Sequence, residues 1–484
     1  MTNLFRISTR KWTTPKVRVL LGMLLWLSSW FSVYAEELRW KVIGHLLEAR
    51  TNSSSAVIGD GRILVFGGFK EQFGIQKQRL RGVVSSSSEI IDIRQRRITR
   101  GAEMHTPHAI APVIQMPDSN LIILGGLDSD STTTPICEIY DRKRNEWRVL
   151  GRLLFGRHLH SAALLNAEEV IVIGGRAGGN YAAIIAESEI FNIRTGKSRK
   201  IADFPCKIEE GAFIPSTIFQ PGKSIYVGGR TNGSAVYRPA RIYYYDKILE
   251  QWKYVGEFLD AVFAFASTQM IQTYRNIIVG GAKPLGLSRG IENIFKHMVS
   301  NQILIETSSG FECVSSLRKG RYHCQVKAWS SEIALIFGGG DDDYVAINNS
   351  EWFDMKSQST IDGPQMNDAR YGFHSFTLPT LDNQGNQIGA SIIAFGGKGL
   401  NDVSATSVEV LETADVSLVN MPDNAININR WRKIFSSPVF IGGLVLFIAG
   451  LVFSLAYLLF QIIRLRQKSR LAVLHANTDI EGSR

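Results

Sequence analysis

Cysteine is scarce, with four residues in 484, so even in an oxidising compartment the chain can form two disulfides at most. No phosphate-cradling loop, zincin string or nucleophile elbow occurs, so the sequence carries none of those catalytic signatures. An excess of basic over acidic charge is missing from most of the chain although the formal net charge is +10. Residues 1–35 hold five basic groups and no acidic one, 430–433 hold three basic, and 464–484 hold five basic against two acidic. The long remainder is close to neutral. It lacks the extended phosphate-neutralising surface that nucleic acid requires, whereas the basic flanks suit anionic lipid head groups.

Charge is absent altogether from VFIGGLVLFIAGLVFSLAYLLFQII, Val439 to Ile463. This run exceeds the roughly twenty apolar residues that span a bilayer. With Pro438 in its first turn, a transmembrane helix is expected over 438–463, and Arg464, Arg466, Lys468 and Arg470 follow at once. Near Met1, VRVLLGMLLWLSSWF (Val17 to Phe31) follows a basic lead and precedes Val33-Tyr34-Ala35, which reads as a signal peptide over 1–35 cleaved before Glu36. An uncleaved anchor helix is the alternative. The expected layout is a type I single-pass protein. Residues 36–421 lie outside the cytoplasm, in an extracellular, periplasmic or lumenal space, 422–437 form a linker, and 464–484 form a cytoplasmic tail.

Between these ends one short string recurs. ILVFGG ends at Gly68, LIILGG at Gly126, VIVIGG at Gly175, SIYVGG at Gly229, NIIVGG at Gly281, ALIFGG at Gly339 and IIAFGG at Gly397, at intervals of 49 to 58 residues. Each run is Ile- and Val-rich and bounded by turn residues, as a strand buried on both faces is. The glycines permit positive φ or close approach of another segment. After each pair comes a strand ending in an acidic or amide turn residue: EIID at Glu89, EIYD at Glu138, EIFN at Glu189, YYYD at Tyr243, EWFD at Glu351 and EVLE at Glu409, with ILIE at Ile303 a weaker seventh. Seven residues beyond the aromatic of this string, Trp147 follows Tyr140 and Trp252 follows Tyr245. One repeat thus predicts four strands: a after an Arg or His, b ending in the glycine pair, c carrying the Glu-x-aromatic-Asp string, and d.

This combination resembles the Kelch-repeat β-propellers, especially the extracellular type related to the central domain of galactose oxidase. The resemblance implies an all-β ring of four-stranded antiparallel blades, and the sequence counts seven of them. WKVIGHLLEAR (Trp40 to Arg50) matches WRVLGRLLFGR (Trp147 to Arg157), so Trp40 opens a strand d with no strands a to c before it. That strand is expected to complete the last blade, with Val416 to Val419 as the alternative donor. In this frame Cys313 falls in an outer strand and Cys324 in the next inner one, too far apart to bridge, and free buried thiols are expected.

Candidate binding residues cluster at the starts of strands a, which the resemblance places at the mouth of the channel. They are Arg50, Arg157, His160, Glu209, Glu210, Arg321, Tyr322, His323, Arg370 and His374. Arginine grips carboxylate or phosphate, but an Arg or His recurring in every blade better suits the satisfaction of neighbouring backbone carbonyls. His158 and His160 share a strand face without a readable third ligand, and Asp341 to Asp343 suit a solvated loop, so no metal is expected. Tyr322-His323 resembles the string that carries two copper ligands of galactose oxidase. That site also needs a Tyr crosslinked to a Cys from an earlier blade, and strands a of the first three repeats contain none. No cofactor is therefore expected. The leading functional expectation is an extracytoplasmic protein- or glycan-binding module, with no catalytic residue assigned. The alternatives are a carbohydrate-active enzyme resembling the Kelch-type sialate mutarotases, using Arg157, Arg321 and Glu209 or Glu210, and a structural subunit of a membrane complex.

Overall fold

The computed structural model describes residues 38–413 apart from 74–78, 179–182, 232–239, 259–262, 271–272, 285–296, 344, 382–386 and 401–402. The expected signal peptide, linker, membrane helix and tail lie outside these residues. No helix among the described residues is long and apolar enough to cross a membrane.

Residues 161–200 show how a repeat folds. Strand a, Ser161–Leu164, pairs with strand b, Glu169–Ile173. Strand b pairs with c, Ser188–Asn192, and c with d, Lys197–Lys200, all antiparallel. Among the described residues this four-strand order occurs seven times. The strands a are Ser54–Gly59, Val113–Gln115, Ser161–Leu164, Glu209–Ser216, Ala266–Gln269, Gln325–Ala328 and His374–Leu381, which define sheets 1 to 7. Sheet 7 takes its strand d from the other end of the chain: Leu38–His45 pairs with Ser407–Thr413, and Trp40 stands opposite Leu411. The amino-terminal strand therefore completes the last sheet, as the match around Trp40 predicts, while Val416 to Val419 lie outside the described residues.

Strand b needs partners on both faces, and it finds them in the neighbouring sheets. Leu64 and Phe66 of sheet 1 pack with Leu121, Ile123 and Trp147 of sheet 2. From the opposite face of that strand, Ile63 and Val65 pack with Ile393, Phe395, Val408 and Val410 of sheet 7. The same arrangement links sheets 2 to 3, 3 to 4, 4 to 5, 5 to 6 and 6 to 7. Each core is thus held between two consecutive sheets, and the last sheet meets the first.

The paired glycines lie where one sheet meets the next. Gly67 and Gly68 have φ of 66° and 82°, and a Cβ on Gly67 would stand 2.2 Å from the carbonyl oxygen of His108 in the following repeat. Gly68 N donates to that same oxygen at 2.8 Å. Equivalent bonds run from Gly126 to Arg157, Gly175 to Ile208, Gly281 to Arg321 and Gly339 to Arg370. Positive φ and backbone crowding both apply, so a side chain here would separate two sheets. At the opposite end, the last residue of strand c holds the c–d turn: Asp141 Oδ1 accepts from Lys143 N and Arg144 N at 2.9 and 3.1 Å.

The four cysteines are free thiols. Cys137 and Cys324 are buried and Cys206 is half-buried, but Cys313 is exposed, which corrects the expectation of burial. It lies on Gly310–Ser316, the outermost strand of sheet 5, where one face meets solvent.

Candidate functional site

Every strand a begins at the end of its sheet that carries the b–c and d–a connections, and the sequence-derived candidates gather there. Arg50, Arg157, Arg321 and Arg370 have no exposed surface. Arg157 Nη1 donates to the carbonyls of Gly174 and Glu187 at 3.0 and 2.8 Å, and Nη2 to Glu189 Oε1 at 2.9 Å. Leu154 N donates to the other oxygen of Glu189 at 2.7 Å. Arg50 with Glu89, Arg321 with Glu351 and Arg370 with Glu409 repeat the pairing at 2.6 to 2.7 Å. These guanidinium groups tie strand a, the glycine pair and strand c together, and they present nothing to a ligand. The reading in which a recurrent Arg satisfies buried carbonyls accounts for all four. Sheet 2 uses His108 instead: its Nδ1 lies 2.7 Å from the Gly125 carbonyl and its Nε2 3.4 Å from Glu138 Oε1.

Two residues beyond these positions the backbone turns left-handed. Asn52, Ile110, Leu159, Glu210, Ala264, His323 and Gly372 have φ between 47° and 59°. Ile110 N donates to Asn52 O, Leu159 N to Ile110 O, Glu210 N to Leu159 O, His323 N to Ala264 O and Gly372 N to His323 O, at 2.8 to 3.4 Å. Residues with a Cβ lose about 1–2 kcal/mol in this conformation, which the sheet-to-sheet bonds offset. The side chains at these positions share no chemistry, so nothing in the sequence marks them as a set.

Sheet 4 breaks the pattern. Ile208 occupies the Arg position, and Glu209 and Glu210 follow it. Arg176, from the b–c connection of sheet 3, contacts Glu209 through Nε and Nη2 at 2.5 and 2.9 Å. Arg230, just past the fourth glycine pair, reaches Glu209 at 3.1 Å and Glu210 at 2.8 Å. It also lies 5.0 Å over the ring of buried Phe263. Glu209 is buried, but the side chains of Arg176 and Arg230 keep 36% and 26% of their surface, enough for a ligand to reach both. Burial raises the Glu210 carboxyl above the usual range against the pull of Arg230. His158 and His160 stand beside this group; burial, together with Arg176, pushes His158 down to about 4, and burial with Arg157 moves His160 well below its ordinary value. Glu209 and Glu210 were expected at a channel mouth. Arg176 and Arg230, which engage them, carry no distinguishing signal in the sequence, because each is one Arg directly after a glycine pair.

The other candidates lie at the same end of the sheets but make separate contacts. Tyr322 is buried, with its ring 5.7 Å from Tyr371, while adjacent His323 is exposed. His374 stacks on Phe395 at 5.6 Å, and its Nε2 lies 3.1 Å from Ser53 Oγ. Asp341 is buried and paired with Lys319 Nζ at 2.7 Å, and its Oδ1 accepts from Asp343 N and Val345 N, so it organises its own loop. Among the described residues no three His, Cys, Asp or Glu side chains are grouped to hold a metal ion.

Enclosure of these histidines makes the fold sensitive to acid. His374 is pushed down to about 4 by burial, as His158 is, from an ordinary 6.5. The unfolded chain therefore takes up these protons first. Their stabilising contribution is full above about pH 6.5 and is lost as pH falls toward 4. Melting temperature measured against pH should drop across that window, and His374→Gln should flatten the drop.

No family model matches the chain, and no curated protein sequence matches it. Among solved structures it is similar to a novel fungal alcohol oxidase with catalytic diversity among the AA5 family, in complex with copper. The identity is 14%, over 78% of this chain and 76% of the oxidase, with a TM-score of 0.55. It is also similar to YjhT, at 15% identity over 66% of this chain and 99% of YjhT, with a TM-score of 0.45. At this identity the likeness to the oxidase speaks for fold alone, and that fold is an all-β propeller of four-stranded antiparallel sheets.

Proposed function

We propose that the chain is a membrane-tethered, seven-bladed Kelch-type β-propeller that binds a glycan or protein ligand outside the cytoplasm. The blade count is supported by the seven four-stranded sheets and their consecutive cores. Support for the tether comes from the uncharged run Val439 to Ile463 and the leader before Glu36. One observation carries the ligand reading: at sheet 4 the repeating Arg–Glu pair gives way to Arg176, Glu209, Arg230 and Glu210, a network that solvent reaches. Guanidinium donors beside carboxylate acceptors match the hydroxyl-rich surface of a glycan.

A second reading, a carbohydrate-active enzyme, draws on Glu210. Burial raises this carboxyl above its usual range and Arg176 and Arg230 lie beside it, the type of setting that acid–base catalysis uses. Among the described residues Tyr322 and His323, which resemble copper-ligand positions, face different surroundings. Tyr322 is buried against Tyr371, His323 points from an exposed position, and no cluster of three metal-binding side chains forms among the described residues.

The test is capture by the full-length protein in mild detergent, on a glycan array and from native membrane extract. Arg230→Ala and Glu210→Gln should each weaken the captured ligand about tenfold, the scale of one charge-assisted hydrogen bond. Binding that is unchanged in both variants would remove this cluster from the reading. Turnover of the captured glycan that Glu210→Gln abolishes would favour the enzyme.

A further inference from the structure

The direction of the strands determines at which end of the sheets the described chain begins and ends. In sheet 7, Leu38 stands opposite Thr413, and His45 opposite Ser407. The described chain therefore begins and ends at one end of that sheet, the end of the a–b and c–d turns. The Arg176–Glu210 cluster lies at the other end, one strand length or about 17–20 Å away. Residues 414–438, twenty-five in all, separate Thr413 from the expected span.

That face carries a repeated chemistry. Two residues after the end of strand c stand Arg94, Lys143, Arg194 and Lys356, all exposed, each on a turn that ends its sheet at the same register. The acidic or amide residue before each turn bonds inward to turn backbone: Asp92 accepts from Gln95 N, Asn192 from Thr195 N and Asp354 from Lys356 N, at 2.8 to 2.9 Å. The basic side chains stand outward; Arg194 faces Glu168 at 3.6 Å, an exposed pair of little strength. In sheet 4 the equivalent residue is Ile248, 93% exposed, followed by Leu249 at 54%. Cationic side chains around the rim with one projecting apolar tip fit an interface between water and anionic lipid.

We propose that the rim of c–d turns, Arg94, Lys143, Arg194, Lys356 and Ile248, docks on the anionic head groups of the bilayer that tethers the chain. This rests on the membrane reading given above. Docking there turns the Arg176–Glu210 cluster away from the membrane, toward ligands in the aqueous space or on an opposing surface.

Lysine acetylation of the full-length protein, read by mass spectrometry, tests the docking. The protein is reconstituted in vesicles of phosphatidylcholine alone or mixed with phosphatidylglycerol. Labelling of Lys143 and Lys356 should fall several-fold in the mixed vesicles and recover in high salt. Exposed Lys207, at the opposite end of the sheets, should label equally in both. The double variant Arg94→Glu, Arg194→Glu should keep Lys143 and Lys356 reactive throughout. Equal labelling of these lysines in the two lipids, or protection of Lys207 alongside them, would overturn the proposal. Flotation with phosphatidylcholine vesicles in high salt reports the tether separately. Loss of flotation with Lys143 still protected on anionic vesicles would support the rim while removing the tether.

Discussion

Glu189→Ala should destabilise the fold by about 3–5 kcal/mol, the range for breaking a buried ion pair from one side. The substitution leaves Arg157 charged and without exposure, and strips Leu154 N of its acceptor. Urea unfolding in mild detergent, followed by tryptophan fluorescence, provides the measurement. Arg157→Ala should cost a similar amount, because Glu189 then loses its cation and the Gly174 and Glu187 carbonyls lose their donor. Arg157→His should cost less than Arg157→Ala, since His108 already serves sheet 2 by reaching both a glycine carbonyl and Glu138. A midpoint unchanged by Glu189→Ala would mean that Arg157 is reached by water or a ligand, and the assignment of these arginines to structure would fail.

The arginines show where sequence reading succeeds and where it stops. Their recurrence at the starts of strands a was visible, and so were the two roles open to them. Choosing between those roles required burial, because Arg50 and Arg230 are alike as residues and differ only in surroundings. The glycine pairs and the strand c strings were legible because each demands a residue type: no Cβ where a carbonyl crowds, a carboxylate where backbone donors converge. The left-handed positions demand only a backbone conformation, and Asn52, Ile110, Glu210 and His323 all supply it under constraint from neighbouring sheets. No composition rule finds such a set. The candidate site is one of two places where the repetition fails, at Ile208-Glu209-Glu210; the other is repeat 5, where Val262 holds the Arg position. The glutamates of the site are legible as adjacent acids at a strand start, but the cations facing them arrive from separate connections by tertiary packing.

Trp40→Ala tests the closing strand. Trp40 is 4% exposed, its ring centroid lies 5.2 Å from that of Phe337 in sheet 6, and its Nε1 donates to the Pro364 carbonyl at 3.1 Å. Trp252 repeats the arrangement two repeats after Trp147, packing on Phe204 at 4.9 Å and donating to the Ala202 carbonyl. Asn367 adds a bond to the backbone of Trp40 at 3.0 Å, so the strand is held by sheet 6 as well as sheet 7. Truncation removes a large aromatic from a core shared by two sheets, and about 3–5 kcal/mol of stability should go with it. The loss should exceed that of a surface change because sheet 7 without its fourth strand exposes the outer edge of Ser407–Thr413. Trp12→Ala is the control: it lies in the expected leader and should leave the mature fold unchanged. Urea unfolding of both variants decides the matter. An unaltered midpoint for Trp40→Ala would mean that residues beyond Thr413 can supply the outer strand, and that the amino-terminal strand is a dispensable addition to a ring already closed.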